Sequence, residues 1–254
     1  MSKVIVSKGW EGFADRLQCL SYCIDVAVKY NRHLYVDWYD TMWQRGFYPY
    51  FDVRGVLRGE PEGTAYPEFW NDALEKPNGD WVYRIKDYVE FQIEDADGDT
   101  PVWVHSGVGP RTWSMVTLAK RLEIKCLGDI SQIKPMPHVV HLRGTDRTPD
   151  FKKLKQMAEQ YPDAAVLSDD AKCVKEWLTI NPEAYVITES LSRNGKAIHQ
   201  EGLEGWTRHQ LNLQVISDFV TLALAKEAHA LNDESLFFQM ARVYGTFLKN
   251  GDKK

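Results

Sequence analysis

The stretch VVHLRGTDRTPD, residues 139–150, runs from a short apolar strand into a His, an Arg and then a Gly-Thr-Asp turn. Side chains alternate along a strand, so His141 and Arg143 share one face with Val139 while Leu142 points to the other. The polar pair begins where the apolar lining of that face stops. Gly144 permits close backbone approach, and Thr145 with Asp146 can bend the turn. A guanidinium beside backbone N–H groups is a good receptor for phosphate, because its planar fork of donors carries a charge that is not titrated away. The same letters also describe a strand that simply reaches water, with Arg143 paired to a carboxylate such as Asp146. The neighbouring segments have to decide between these two readings.

Downstream, the pattern predicts a helix over 150–161, a strand over 164–170, a helix over 171–180, a strand over 184–188, and closing helices over 209–228 and 233–250. Alternating strands and helices at this spacing imply a parallel sheet. Upstream, residues 3–7, 17–30 and 32–38 read as strand, helix and strand, a βαβ unit whose Gly-containing loop GWEGFADR (9–16) lies at the carboxyl end of its first strand. Open α/β sheets bind ligands at that end. Residues 39–100 are aromatic and irregular, equally consistent with an insertion shaping an acceptor site and with packed surface loops. Residues 100–107 return to strand character and 118–130 to helical character. The proline-containing stretch SQIKPMPH (131–138) reads as a linker. The expected fold class is therefore α/β in two domains, 1–134 and 135–254, each with a parallel sheet.

A chain of 254 residues, 44% hydrophobic and 26% charged, can bury a full core in one large or two small domains. Its net charge of −5 creates no global field for polyanions, but leaves room for a small anion at a local basic site. Without a signal-like N-terminus or an apolar run of about 18 residues, the expected location is the cytoplasm. Cys19, Cys23, Cys126 and Cys173 lack zinc-ligand spacing and read as reduced structural thiols.

Three further segments carry candidate chemistry. In GWEGFADR, Gly9 and Gly12 leave amides accessible just before a helix N-terminus, which favours anions, though the dinucleotide fingerprint is missing. Asp15 fits a cap for a helix starting near Arg16 better than a chemical role. VLSDD (166–170) ends a strand on Asp169 and Asp170, which suit a metal or the orientation of His141, while Ser168 or Asp169 as a helix cap explains much of the same pattern. In VISDFVTLALA, Asp218 interrupts an apolar helix face and is either partnered or wet at a rim. No nucleophile elbow, phosphate loop of the Walker type or zinc-protease motif occurs, the seven His are scattered, and no metal site is expected. The nine Trp and twelve Tyr suit sugar stacking but are more often core residues.

Taken in order, these pieces resemble the fucosyltransferases that share three peptide motifs: the α-1,6-fucosyltransferases, the rhizobial chitin-oligosaccharide fucosyltransferases and the protein O-fucosyltransferases. HLRGTDR (141–147) resembles their His-x-Arg-Arg-Thr-Asp-Lys, VLSDDAKCVKEW (166–177) their strand ending Thr-Asp-Asp, and VISDFVTLALAKEAHALNDESLFFQMAR (215–242) their apolar helix with one Asp and a following Ser-containing turn. GWEGFADRLQCL resembles their N-terminal loop and helix. The likeness covers both ends of the first domain and most of the second, but not residues 39–130.

The resemblance implies a GT-B arrangement, two facing Rossmann-like domains with a nucleotide sugar in the cleft, and metal-independent, inverting transfer of a fucose-like sugar from a nucleoside diphosphate, GDP by family habit, to a hydroxyl of a glycan or other acceptor. It implies Arg143 on the β-phosphate, His141 and Asp218 at the base, Ser235 on a phosphate, and Glu11 as candidate base with Asp15 second. Gly12, Asp169, Asp170 and Arg16 complete the expected donor site. The donor is a co-substrate, and no cofactor or metal is implied. Three departures stand out: Gly144 replaces the family's second Arg, Arg147 replaces a Lys, and the family's Ser-Ser-Gln run is reduced to NDESLFF (232–238). The alternatives are a catalytically idle nucleotide- or glycan-binding module on the same scaffold, and a glycosyltransferase acting on nucleic acid. The acidic balance argues against the latter despite a basic group at Lys120, Arg121 and Lys125.

Overall fold

The structure is a computed structural model that describes residues 4–9, 12–39, 42–59, 82–84, 102–105, 115–145 and 148–251. The chain divides into two compact units, Met1–Cys126 and Leu127–Lys254. The division falls ahead of the 131–138 stretch expected to link the domains. That stretch belongs with the second unit because the carbonyls of Met136 and Pro137 accept from the N–H groups of Lys226 and Glu227 at 2.9 and 3.0 Å.

In the first unit, β1 (Val4–Lys8), α1 (Phe13–Lys29) and β2 (His33–Asp37) form the expected βαβ unit. With β4 (Val82–Arg84) and β5 (Val102–His105) they build a four-stranded sheet of order β2-β1-β5-β4, in which every pairing is parallel. α1 is buried on almost its whole circumference, from Phe13 and Ala14 through Leu17, Leu20, Cys23 and Ile24, as expected of a helix enclosed by its unit rather than lying on its surface. Gly12 takes the N-cap position without a side-chain bond and Asp15 sits in the first turn. Asp15 is thus not the cap expected for a start near Arg16, but its charge still complements the helix N-terminus.

The aromatic stretch after β2 packs inward. Trp43, Phe47, Tyr50 and Phe51 are at most 5% exposed, and Phe47 lies 4.9 Å from Trp38 and 5.1 Å from Phe51 between ring centroids. Residues 42–59 are therefore packed against the core of their unit; residues 60–81 and 85–100 lie outside the described residues. β3 (Phe51–Val53) pairs antiparallel with β6 (Leu122–Ile124). The helix expected over 118–130 is instead α2 (Met115–Arg121) followed at once by β6. Leu122 and Ile124 are buried on either side of a less buried Glu123, a period of two that a strand satisfies and a helix does not.

The second unit holds a three-stranded parallel sheet of order β8-β7-β9, made by β7 (His138–Leu142), β8 (Ala165–Ser168) and β9 (Glu227–Ala230). α3 (Phe151–Gln160) starts on Asp150, whose carboxylate accepts from the N–H groups of Lys152 and Lys153 at 3.0 Å each. It buries Leu154, Met157 and Ala158, one face at helical spacing. α4 (Ala171–Ile180) buries Cys173, Val174 and Trp177. These side chains close a core with Val140, Leu142 and Val166. The alternation read from the sequence is visible in β7, since Val140 and Leu142 enter that core while His141 turns to the other face against Phe237 and Phe238.

α5 (Ile198–Glu201) is a single turn absent from the sequence reading. α6 (Arg208–Leu224) opens on a capping box between Thr207 and Gln210, and α7 (Leu236–Gly251) packs on it. The helix expected to 228 stops at Leu224 because Ala225 turns extended at φ −49°, ψ 141°, and the alanine-rich end becomes β9. Pairing with β7 overrides the helical preference of alanine. The segment 184–188 is not a full strand, although Val186 makes one parallel bridge to Val166. Among the described residues, no helix is long and apolar enough to cross a membrane.

Candidate functional site

The carboxyl end of the β8-β7-β9 sheet gathers most of the polar residues singled out in the sequence. Asp169, one residue beyond β8, reaches across to the turn after β7. Its carboxylate accepts from the N–H of Gly144 at 2.8 Å and of Thr145 at 3.3 Å, and from the Thr145 hydroxyl at 2.5 Å. Both oxygens are thereby engaged by the chain itself, so Asp169 shapes the turn beside Arg143.

Asp170 serves a separate purpose. It is the N-cap of α4, accepting from Lys172 N–H at 2.6 Å and Cys173 N–H at 3.2 Å. The cap is therefore Asp170, not Ser168 or Asp169 as expected. Ser168 instead ties the two strand ends, donating from Oγ to the Leu142 carbonyl at 2.7 Å while its N–H donates to Thr188 Oγ1 at 3.2 Å.

Thr188 carries this network to α6, donating to Asp218 Oδ2 at 2.9 Å. Gln214, one turn earlier on the same helix, donates to Asp218 Oδ1 at 2.7 Å. The acid on the apolar helix is thus partnered. Burial nevertheless outweighs these two bonds and pushes the Asp218 carboxyl up to about 7. Near neutral pH it is divided between a carboxylate and a carboxylic acid able to donate.

His141 is 7% exposed. Its ring lies 5.4 Å from Phe237 and 6.5 Å from Phe238, nearly parallel to the latter. Burial first, and then the Arg143 charge, hold its pKa down at about 4 against the opposing pull of Asp169. The ring is neutral at physiological pH, and its Nδ1 is buried without a hydrogen-bond partner. Ser235 sits in the turn between β9 and α7, 3% exposed, with its Oγ likewise buried and unpartnered. The Leu231 N–H donates to the His141 carbonyl at 2.9 Å and joins the start of that turn to β7. Buried polar atoms are ordinarily satisfied, so two orphans at one sheet end mark a place where a polar ligand would complete the structure.

Arg143 follows β7 directly and is half-buried. Gly144 beside it has no room for a side chain. A Cβ there would lie 2.7 Å from Asp170 Cβ and 2.7 Å from Cys173 Sγ. The missing second Arg of the resembled motif is therefore a packing requirement of this chain, set by the first turn of α4. Cys173, whose thiol burial pushes up to about 12, is an inert part of that packing. Asp146 and Arg147, and with them the alternative pairing of Arg143 to Asp146, lie outside the described residues.

In the first unit, Glu11 lies outside the described residues and Gly12 is the N-cap of α1. Arg16, expected near the donor, is fully buried, with its guanidinium 5.9 Å from the Trp38 ring centroid and 5.5 Å from that of Trp43. It packs against Gly9, where a Cβ would collide with Arg16 Nη1 and with Trp38 Cδ1. Arg16 thus stiffens the loop from within.

Two features escaped the sequence reading. Lys8 and Asp37, at the carboxyl ends of β1 and β2, form a buried ion pair of 2.7 Å; Lys8 lies one residue past the strand expected over 3–7. His138, Glu227 and His229 cluster at the opposite, amino end of the second sheet. The Glu-Ala-His spacing was a signal for that cluster, concealed because residues 227–228 were read as helix.

No family model and no curated protein sequence matches the chain. Solved structures do. The crystal structure of NodZ α-1,6-fucosyltransferase co-crystallised with GDP aligns with a TM-score of 0.59 at 15% identity, covering 96% of this chain and 93% of that one. The same enzyme soaked with GDP-fucose gives 0.58 at 16% over 96% and 93%, and fucosyltransferase NodZ from Bradyrhizobium gives 0.58 at 16% over 96% and 94%. With alignments that cover 96% of the chain despite so little identity, this α/β protein has the fold seen in the NodZ fucosyltransferase structures.

Proposed function

We propose that the protein is an inverting, metal-independent glycosyltransferase that moves a fucose-like sugar from a GDP-linked donor to a hydroxyl of a glycan or other acceptor. The observation that carries the reading is the carboxyl end of the β8-β7-β9 sheet. There, His141 Nδ1 at the end of β7 and Ser235 Oγ in the β9–α7 turn are buried and unsatisfied, the Leu231 N–H ties the start of that turn to the His141 carbonyl, and Arg143 follows two residues after His141. Open parallel sheets bind nucleotides at this end. The fold is shared with enzymes crystallised with GDP and GDP-fucose.

In this reading Arg143 holds the diphosphate, with Ser235 donating to it. His141 and Asp218 contact the base, for which a neutral imidazole and a carboxyl near 7 offer both a donor and an acceptor. Asp169 positions the turn that carries Arg143. Gly12 belongs to the loop of the first unit, and Glu11, with Asp15 as second choice, is the candidate base. The acceptor oxygen attacks the anomeric carbon and forms the new C–O bond. The bond to the diphosphate breaks on the opposite side, its electron pair passes to the leaving phosphate oxygen, and the hydroxyl proton goes to the base or to water. Charge develops on that phosphate oxygen, where a fixed guanidinium is worth about 2.7–4 kcal/mol.

The test is transfer and hydrolysis measured over GDP-, UDP-, ADP- and CMP-sugars, with thermal shifts for the free nucleotides. Selective stabilisation by GDP with turnover of a GDP-sugar is expected. Arg143→Ala should lower turnover by about 100-fold or more at unchanged fold. Near-normal activity in that variant removes the central role of Arg143. GDP binding without turnover of any donor identifies an idle binding module instead, and response to none of the nucleotides sinks the reading.

A further inference from the structure

The amino end of the second sheet carries a cluster with no part in the proposed transfer. His138 opens β7 and is the register partner of Glu227, which opens β9. Paired residues of neighbouring strands present their side chains to the same face, and residues two apart on one strand do so as well. His138, Glu227 and His229 are therefore brought to one face by backbone pairing alone. Glu227 Oε2 lies 3.6 Å from His138 Nδ1 and 3.8 Å from His229 Nε2, and one donor atom from each residue falls within 4.8 Å of the others.

These separations are too long for hydrogen bonds. They are close to what ligands of one cation need, since tetrahedral metal–ligand distances of about 2.0–2.1 Å place donor atoms about 3.3 Å apart. Both facing imidazole nitrogens are buried and have no hydrogen-bond partner. The rings are held in place by Tyr161, at the end of α3, whose ring stacks on His229 at 3.9 Å and on His138 at 6.3 Å between centroids. Water still has access, because the side chains of His138 and His229 are 29% and 22% exposed and that of Glu227 is 62% exposed.

We propose that His138, Glu227 and His229 form a binding site for a divalent transition metal of the zinc class, with water completing the coordination. Two imidazoles and one carboxylate suit zinc, copper or nickel better than magnesium or calcium, which ask for oxygen ligands. The site lies at the other end of the strands from Arg143, so its metal is structural. Among the described residues, β9 is an edge strand that pairs with β7 alone. A metal bridging His138 to Glu227 and His229 clamps that edge to the central strand, and binding to the folded state alone raises stability by mass action.

The experiment uses the full, untagged chain freed of metal with a chelator. Titration with zinc chloride by calorimetry should show one equivalent bound, and zinc should raise the melting temperature. Loss of an outer-shell partner already weakens metal sites by about 10–100-fold, so Glu227→Gln, His138→Gln and His229→Gln should each weaken binding by at least that much. Glu227→Gln is the variant least able to disturb folding, given its exposure, and it keeps the test decisive if a His variant misfolds. Cobalt supplies an independent readout: the expected spectrum has visible bands of a four- or five-coordinate ion without thiolate-to-metal charge transfer. No zinc binding, binding indifferent to Glu227→Gln, or a thiolate band placing the metal on cysteine would each overturn the site.

Discussion

His141 and Asp218 respond to burial with opposite signs. The histidine is held at about 4, so between there and its ordinary 6.5 the unfolded chain binds more protons and stability falls as pH drops. The aspartate is raised from 3.8 to about 7, so the folded chain binds more protons in that interval, and its contribution is lost as pH rises through about 7. Between about pH 4 and 6.5 the two slopes, each at most about 1.4 kcal/mol per pH unit, oppose one another. Asp218→Asn removes only the second. Urea unfolding of the variant should therefore gain on the parent by about 1–3 kcal/mol between pH 4.5 and 7.5, and a constant difference across that range would contradict the shift in Asp218. Gly144 offers a second test at this scale. A methyl group there meets the Cβ of Asp170 and the sulfur of Cys173, both at 2.7 Å. Gly144→Ala should cost about 1–3 kcal/mol by overpacking, read as a lower urea midpoint, and should weaken GDP binding by displacing the turn that Asp169 holds.

Among the elements, the contact of α6 with α7 depends on Gly245. A Cβ at that position would overlap the carbonyl of Ala223 and lie 2.7 Å from its carbon, so the two helix backbones touch directly. Alanine ordinarily favours a helix over glycine by about 0.5–1 kcal/mol. Here the obstacle is backbone, which cannot rotate aside, and Gly245→Ala should lower the melting temperature; an increase would mean that α7 can shift freely along α6. The same scale shows what could be read from the chain alone. α3 and α4 were legible because their apolar residues fall at helical spacing, while their caps, Asp150 and Asp170, were not read from the chain. β7 was legible because Val140 and Leu142 alternate with His141. β6 and β9 were not. Each directly follows or closes a helical run, and each owes its form to a partner distant in sequence, Phe51–Val53 for β6 and His138–His141 for β9. Mistaking 227–228 for helix also separated Glu227 from His229 by more than half a turn, whereas in the strand they share a face.

Across the whole molecule, the donor-site candidates His141, Arg143, Asp169, Asp218 and Ser235 come from five separate elements or turns, yet order along the chain was enough to propose them together. Their division of labour was not visible: the sequence suggested Ser168 or Asp169 as the cap, and only the fold shows Asp169 holding the Arg143 turn and Asp170 capping α4. Arg16 likewise could not be placed until Trp38 and Trp43 were seen around it. The wedge at Gly144 bears on which sequences this fold can reach. A second arginine cannot be restored by one substitution, because Asp170 presents its Cβ, an atom shared by every residue except glycine. Cutting back Cys173 would clear only half the obstruction. The one-arginine and two-arginine versions of this turn are therefore separated by a barrier of at least two coordinated changes, one of them in the backbone path of α4. A library of single substitutions selected for tighter donor binding should find its gains elsewhere.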